Sequence, residues 1–229
     1  MAKEKVIIFD AGALISLSMN GLLYVLKNLK KNFDGHFLIT DEVRKEIIDI
    51  PIQTKRYELE ALRVKELYDE KILESPSIYG IDGKTLSNKS REVMEMTNSF
   101  FKSHKRQVKI LHSGESSCIA LSKMLRDKGI DNIIASDERT LRVMIEKPEN
   151  LRDLLEKKLH TKIDIKASSF GYFKDFKIIR SAEILYVAWK KNLVELHDGK
   201  SVLDALLYAV KFKGCAISFE EIEEIKRIK

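Results

Sequence analysis

The chain has 229 residues, 44% hydrophobic and 33% charged, with a formal net charge of +6. That is enough length for one large domain or a core domain with an extension. No apolar run approaches the roughly 20 residues that span a bilayer, and Met1-Ala2-Lys3-Glu4-Lys5 leads into only a short apolar run, so neither a membrane span nor a signal peptide is expected. Cys118 and Cys215 sit in helical apolar patterns and read as core thiols in a reducing compartment, which makes a cytoplasmic protein the simplest expectation. The basic balance favours a polyanionic partner, although solvated lysine faces give the same sum.

A first buried strand is expected over residues 5–9, followed by one apolar helical stretch from Leu14 to Leu29. His36-Phe37-Leu38-Ile39 reads as a second strand. Thr40 is a natural N-cap for a helix over 41–49, with acids in its first turn suiting the helix dipole. Ile50-Pro51 breaks that helix, and apolar spacing at Tyr57, Leu59, Leu62, Leu67 and Tyr68 predicts an amphipathic helix over 54–70. A short strand is expected at Ile72-Leu73 and a loop over 77–88, which carries Gly80, Asp82, Gly83, Ser87 and Asn88. Beyond it come a polar helix over 89–103, an apolar run Val108–Leu111, and a helix over 115–128 that stops at Gly129. Asn132-Ile133-Ile134-Ala135 is the clearest second buried strand, and Lys162–Ile165 a candidate final one. The remainder predicts helices Ser181–Lys191, Ser201–Lys213 and Ser218–Ile228, the last two opening with capping boxes Ser201…Asp204 and Ser218…Glu221. Strands alternating with helices argue for a three-layer α/β/α fold with a mostly parallel sheet and added C-terminal helices.

Four acids sit where such a sheet binds ligands, outside the carboxyl ends of its strands. Asp10 follows the first strand directly, and Asp137 follows Asn132–Ala135 in the same way. Glu46 lies one turn into the helix opened by Thr40, and Glu115 stands in the first turn of the helix after Ser113-Gly114. Converging carboxylates raise one another's pKa, and a divalent cation removes the conflict. Oxygen donors without His or Cys suit Mg²⁺ or Mn²⁺, which serve phosphodiester hydrolysis. Each acid also has a plainer reading. Asp10 and Asp137 can be N-caps, Glu46 can be solvated, and Glu115 can simply compensate a helix dipole. Glu138 reads as a surface residue rather than a supplementary ligand.

Phe9-Asp10-Ala11-Gly12-Ala13-Leu14-Ile15, Val43-Arg44-Lys45-Glu46-Ile47, Gly114-Glu115-Ser116-Ser117-Cys118-Ile119-Ala120-Leu121 and Ala135-Ser136-Asp137-Glu138-Arg139 resemble, in order, the four acidic motifs of PIN-domain ribonucleases. The resemblance covers roughly residues 4–145, and the Ser181–Ile217 stretch is similar to a helical tail of some prokaryotic PIN proteins. It implies a nuclease core over 1–165, a helical extension over 166–229 packed on it, and a metal-dependent ribonuclease with Asp10, Glu46, Glu115 and Asp137 as catalytic metal ligands. Ala11 and Ala13 stand where many such proteins carry Ser, Thr or Asn.

RNA is the expected partner. Lys102, Lys105 and Arg106, beside Phe100 and Phe101, are candidates for holding its backbone, and Arg139 and Arg142 for meeting a phosphate near Asp137. Core phenylalanines and a solvated lysine face explain the first group equally well. A homodimer is expected from the apolar C-terminal helices, and a small antitoxin-like protein is an alternative partner. A haloacid-dehalogenase-type phosphatase is disfavoured because Gly12 stands where its second Asp belongs, and no phosphate-cradling P-loop occurs. The alternative to a nuclease is a weakly active or inactive PIN-like module that binds RNA or protein.

Overall fold

A computed structural model of the chain describes residues 4–103, 106–165, 171–196 and 199–228. In chain order the elements are β1 (Lys5–Phe9), α1 (Ala11–Met19), α2 (Tyr24–Asn32), β2 (Gly35–Leu38), α3 (Asp41–Arg44), α4 (Glu58–Asp69), α5 (Gly83–Ser99), β3 (Phe101–Ser103) and β4 (Arg106–Gln107). They continue with α6 (Ser113–Asp127), β5 (Asp131–Ala135), α7 (Arg139–Glu146), α8 (Leu151–Leu159), β6 (Asp164–Ile165), β7 (Ile178–Ile179), α9 (Ser181–Lys190), α10 (Gly199–Phe212) and α11 (Phe219–Arg227). None of the helices among the described residues is long and apolar enough to cross a membrane.

Among the described residues the central sheet has four strands in the order β2-β1-β5-β7, and every neighbouring pair is parallel. Such a sheet is covered on both faces, which is why β1 reads as a continuous apolar run. Ile7 and Phe9 of β1, Phe37 of β2 and Ile179 of β7 lie beneath α2 and α9. On the opposite face α6 packs on β1 and β5, with α5 outside it. The result is the expected three-layer α/β/α arrangement with C-terminal helices. Parallel strands carry all their carboxyl ends to one edge, so residues 10, 39–40 and 136–137 emerge together.

Several elements depart from the sequence expectation for local reasons. The stretch 14–29 is two helices, because Gly21 turns left-handed at φ 69° between them. Asp82 starts α5 within the expected loop by accepting the Thr85 N–H at 2.9 Å. Ile72-Leu73 forms no strand, but Glu74 N–H donates to the Phe37 carbonyl and Ile39 N–H to the Glu74 carbonyl, adding one residue to the sheet's outer edge. Val108–Leu111 forms no strand: Val108 N–H donates to the Phe101 carbonyl at 3.1 Å, and Asn98 Oδ1 accepts from Ile110 and Leu111 N–H. Lys162–Ile165 contributes only β6, which joins β3 and β4 in a small separate antiparallel sheet. Beyond the expected boundary at 165, β7 adds the fourth strand of the central sheet before the helices begin.

The C-terminal helices are anchored by polar bonds as well as by apolar packing. Ser218 caps α11 reciprocally: its Oγ accepts the Glu221 N–H at 3.1 Å while Glu221 Oε2 accepts its N–H at 2.8 Å. Ser201 lies inside α10, which starts earlier, at Gly199. Glu221 also meets Arg142 at 2.6 Å and the buried Arg180 at 3.0 Å, tying α11 to α7 and to the start of α9. A network with three members in good geometry contributes more than an isolated surface pair.

Candidate carboxylate site at the sheet edge

Asp10 follows β1 at the N-cap position of α1, yet its side chain makes no capping bond to that helix. Its backbone N–H instead donates to the Ala135 carbonyl at 2.9 Å, continuing the sheet one residue further and pulling the carboxylate into the interior. The residue is 4% exposed. The Ser136 hydroxyl donates to Oδ2 at 2.7 Å. Burial pushes the Asp10 carboxyl up to about 6, with Glu46 and Asp137 adding to the rise, while Ser136 and the Ala11 N–H oppose it. Asp10 thus occupies the N-cap position of α1 without the side-chain capping bond that such a residue makes.

Thr40 caps α3 as expected, with its Oγ1 accepting the Val43 N–H at 3.2 Å. Thr40 Oγ1 also pairs with Ser117 Oγ of α6 at 2.6 Å, which locks the starts of the two helices together. After α3 the helix widens to a π-turn over Lys45–Asp49, and Glu46 lies on it. Glu46 is exposed, but burial of its carboxylate raises its pKa. Gly114 explains how Glu46 approaches Asp10: a Cβ on Gly114 would stand 2.9 Å from Glu46 Oε2 and 3.6 Å from Asp10 Oδ1. The missing side chain leaves a cradle between two carboxylates.

Glu115 closes the third side. Its Oε2 accepts the His112 N–H at 2.7 Å, so it does serve the start of α6 as the plain reading expected. That role leaves its charge facing the site. Burial, then Asp10, Glu138 and Glu46, raise its carboxyl to about 7 against the pull of His112 N–H.

Asp137 emerges from β5 beside Asp10, but its side chain is directed elsewhere. Oδ1 accepts the Ser181 N–H at 2.8 Å and Oδ2 accepts the Ser181 hydroxyl at 2.7 Å, so this buried carboxylate is satisfied by the first residue of α9. The N-cap of α7 is Glu138, whose carboxylate accepts from the N–H groups of Thr140 and Leu141 and pairs with Lys158 at 3.2 Å. Burial, then Asp137, pushes the Cys215 thiol up to about 12 while Ser181 opposes the rise, and Cys118 is buried deeper in the core. Both cysteines are free core thiols.

The structure thus gathers Asp10, Glu46 and Glu115 around Gly114 and turns Asp137 toward α9. Oxygen-only donors are those a hard divalent cation prefers, and Asp10, Glu46 and Glu115 are the residues that could hold one. Among the described residues no three His, Cys, Asp or Glu side chains already form a joint metal-ligating group. The acids are neighbours across a cradle rather than a closed cage.

The candidate cations are dispersed. Arg139 is exposed at the start of α7, two residues after Asp137, whereas Arg142 is engaged with Glu221. Lys102 is exposed on β3, and its neighbour Phe101 is 1% exposed and belongs to the core. Lys105 lies outside the described residues, and Arg106 is described only as part of the β4 backbone. Sequence reasoning missed Ser136, Ser181 and Gly114. Ser136 and Gly114 sit inside the quoted motifs, and small residues beside an acid are the signal that could have found them. Ser181 is 44 residues from its partner and gives no local signal. Compared with known protein families, characterised proteins and solved structures, the chain matches none.

Proposed function

We propose that the protein is a metal-dependent endoribonuclease that hydrolyses RNA phosphodiester bonds at the carboxyl edge of its sheet, with Mg²⁺ or Mn²⁺ held by Asp10, Glu46 and Glu115. The observation that carries this reading is the buried Asp10, whose carboxyl is raised to about 6 by burial and by neighbouring acids. A protein bears an unfavourable carboxylate cluster when a bound cation, or a proton, resolves it. Such a cation supplies Lewis-acid stabilisation of phosphoryl oxygens and a lowered pKa for water. Ser136 fixes Asp10 by one oxygen and leaves Oδ1 toward the Gly114 cradle. Glu46, exposed on its π-turn, adjusts by side-chain rotation. Asp137, held by Ser181, adds negative potential beside Asp10 and orients the β5 end of the site. Arg139, exposed at the start of α7, is the residue that would meet a substrate phosphate.

Cleavage of a labelled single-stranded RNA with millimolar Mn²⁺ tests the proposal against an Asp10→Asn variant. The expected result is metal-dependent internal cleavage by the wild type and none by the variant. Equal cleavage by both would remove the proposal, because the activity would then belong to another site or to a contaminant.

A second reading is a PIN-like module that binds RNA without cutting it. The open arrangement of the acids and the commitment of both Asp137 oxygens to Ser181 favour it. It predicts that RNA is retained intact with Mn²⁺ present and that Asp10→Asn leaves the affinity unchanged or improved.

A further inference from the structure

An open cleft of about 590 Å³ runs between α7 and α8 and begins at Arg139, two residues after Asp137. That volume is within the range of sites that hold small ligands. Its half-buried floor includes Val143 and Leu154, and its rim carries Arg139, Lys157 and Lys158 against one acid, Asp153. Lys158 is tethered at 3.2 Å to Glu138 Oε1 and at 3.2 Å to Thr140 Oγ1. Arg139 and Lys157 are exposed and have no acidic partner among the described residues. Arg139 and Lys157, opposed on the rim by Asp153 alone, leave a net positive edge over an apolar floor, which suits an anion joined to a flat apolar group.

Glu138 connects the cleft to the acid cluster. Glu138 pairs with Lys158 on the cleft side, and its charge contributes to the raised pKa of Glu115 on the other. A chain crossing from one to the other meets cations first and the carboxylates next.

We infer that this cleft holds the nucleotide of a single-stranded RNA that adjoins the bond to be cut, its phosphate at Arg139 and Lys157 and its base on Val143 and Leu154. The inference rests on the nuclease reading for the direction of the strand. Single-stranded RNA is favoured over a duplex because a base must leave its stack to lie on a protein surface. Free phosphate and mononucleotides share the same chemistry and are separated from RNA by competition.

The test measures binding of a fluorescein-labelled oligouridylate by anisotropy in chelator, in the Asp10→Asn background so that nothing is cut, over a series of salt concentrations. Each phosphate contact on a single strand contributes about 0.7 to the slope of log K against log salt, so Arg139→Gln with Lys157→Gln, which strips both cations from that one phosphate, lowers the slope by about 0.7. Lys123→Gln with Lys128→Gln, at the far end of α6, removes the same charge and leaves the slope unchanged. No RNA binding at all, an unchanged slope in the cleft variant, or an equal loss in the far variant overturns the inference. So does displacement of the RNA by inorganic phosphate or uridine monophosphate at concentrations as low as the RNA itself requires, because the cleft then belongs to a small phosphate ligand. Cleavage by the wild type with Mn²⁺ but an unchanged slope would reject the cleft and keep the nuclease. The predicted slope change without any cleavage would keep the cleft as an RNA site and reject the nuclease.

Discussion

Asp10 and Asp137 leave adjacent parallel strands at the same edge, and both are 4% exposed. Asp137 receives an N–H and a hydroxyl from Ser181, one bond for each oxygen. Asp10 receives the Ser136 hydroxyl and the Ala11 N–H but faces other acids, and burial first, then Glu46 and Asp137, pushes its carboxyl up to about 6. Burial is equal, so the difference lies in what each carboxylate meets. One is built into the fold by the N-terminus of α9, and the other retains an unmet demand for positive charge. Two aspartates can look identical along a chain and separate only through their partners.

The largest expected effect tests that unmet demand. Asp10→Asn should lower metal-dependent RNA cleavage by at least about 10²-fold in a steady-state assay, since even outer partners of metal ligands cost 10- to 100-fold. The same substitution should stabilise the chelator-treated protein near pH 8. The folded-state pKa of Asp10 is above its ordinary value of 3.8, so between about pH 4 and pH 6 the native state binds more protons than the unfolded one. Stability in chelator therefore falls as pH rises through that window, by about 3 kcal/mol for Asp10, and Glu115 extends the fall toward pH 7. Urea unfolding at several pH values should show this decline in the wild type and a flatter profile in Asp10→Asn. A wild-type stability that rises from pH 4 to pH 7 would contradict the assigned environment of Asp10.

Asp137 should respond in the opposite way. Ser181→Ala removes a bond to a charged group, and thermal or urea unfolding at neutral pH should register a loss of about 2 kcal/mol. The change should be insensitive to Mn²⁺. A Ser181→Ala protein as stable as the wild type would mean that Asp137 is not held by α9 as described.

The fold was legible wherever one element carried its own signal. Val6–Phe9 and Ile133–Ala135 are apolar runs of the kind that a sheet covered on both faces accommodates, and Thr40 announces the helix it caps. The placement of acids at strand ends and helix starts followed from those elements. What was not legible depended on distance or on brevity. β7 has two residues and no pattern of its own, so its place beside β5 is set by tertiary packing. Ser181 and Ser136 meet their aspartates across 44 and 126 residues. The tether of Arg142 to Glu221 was equally invisible, since both are ordinary helix-surface residues until α11 packs against α7.

Smaller effects separate the two glycines that line the acid edge. Gly114→Ala would place a Cβ 2.9 Å from Glu46 Oε2, so the flexible end of Glu46 must move away from Asp10. Calorimetric titration should show Mn²⁺ binding weakened by roughly tenfold, the scale of a disturbed metal environment. At Gly12 a Cβ would meet Asp137 and Asp10 atoms only at 3.8–3.9 Å, ordinary contact. Gly12→Ala should leave metal affinity unchanged and alter stability by no more than about 1 kcal/mol, in the stabilising direction that helix propensity favours. If the two variants bind Mn²⁺ alike, the cradle at Gly114 is not part of the site.

The central claim is that the carboxylates around Asp10 hold a divalent cation, and the thermal midpoint at neutral pH as a function of Mn²⁺ tests it most directly. A ligand at 100 times its dissociation constant adds about 2.7 kcal/mol to the stability of the form that binds it. The wild-type midpoint should rise steadily with Mn²⁺ at micromolar to millimolar concentrations while that of Asp10→Asn stays level. A wild-type midpoint indifferent to millimolar Mn²⁺, or an equal rise in both proteins, would contradict the claim.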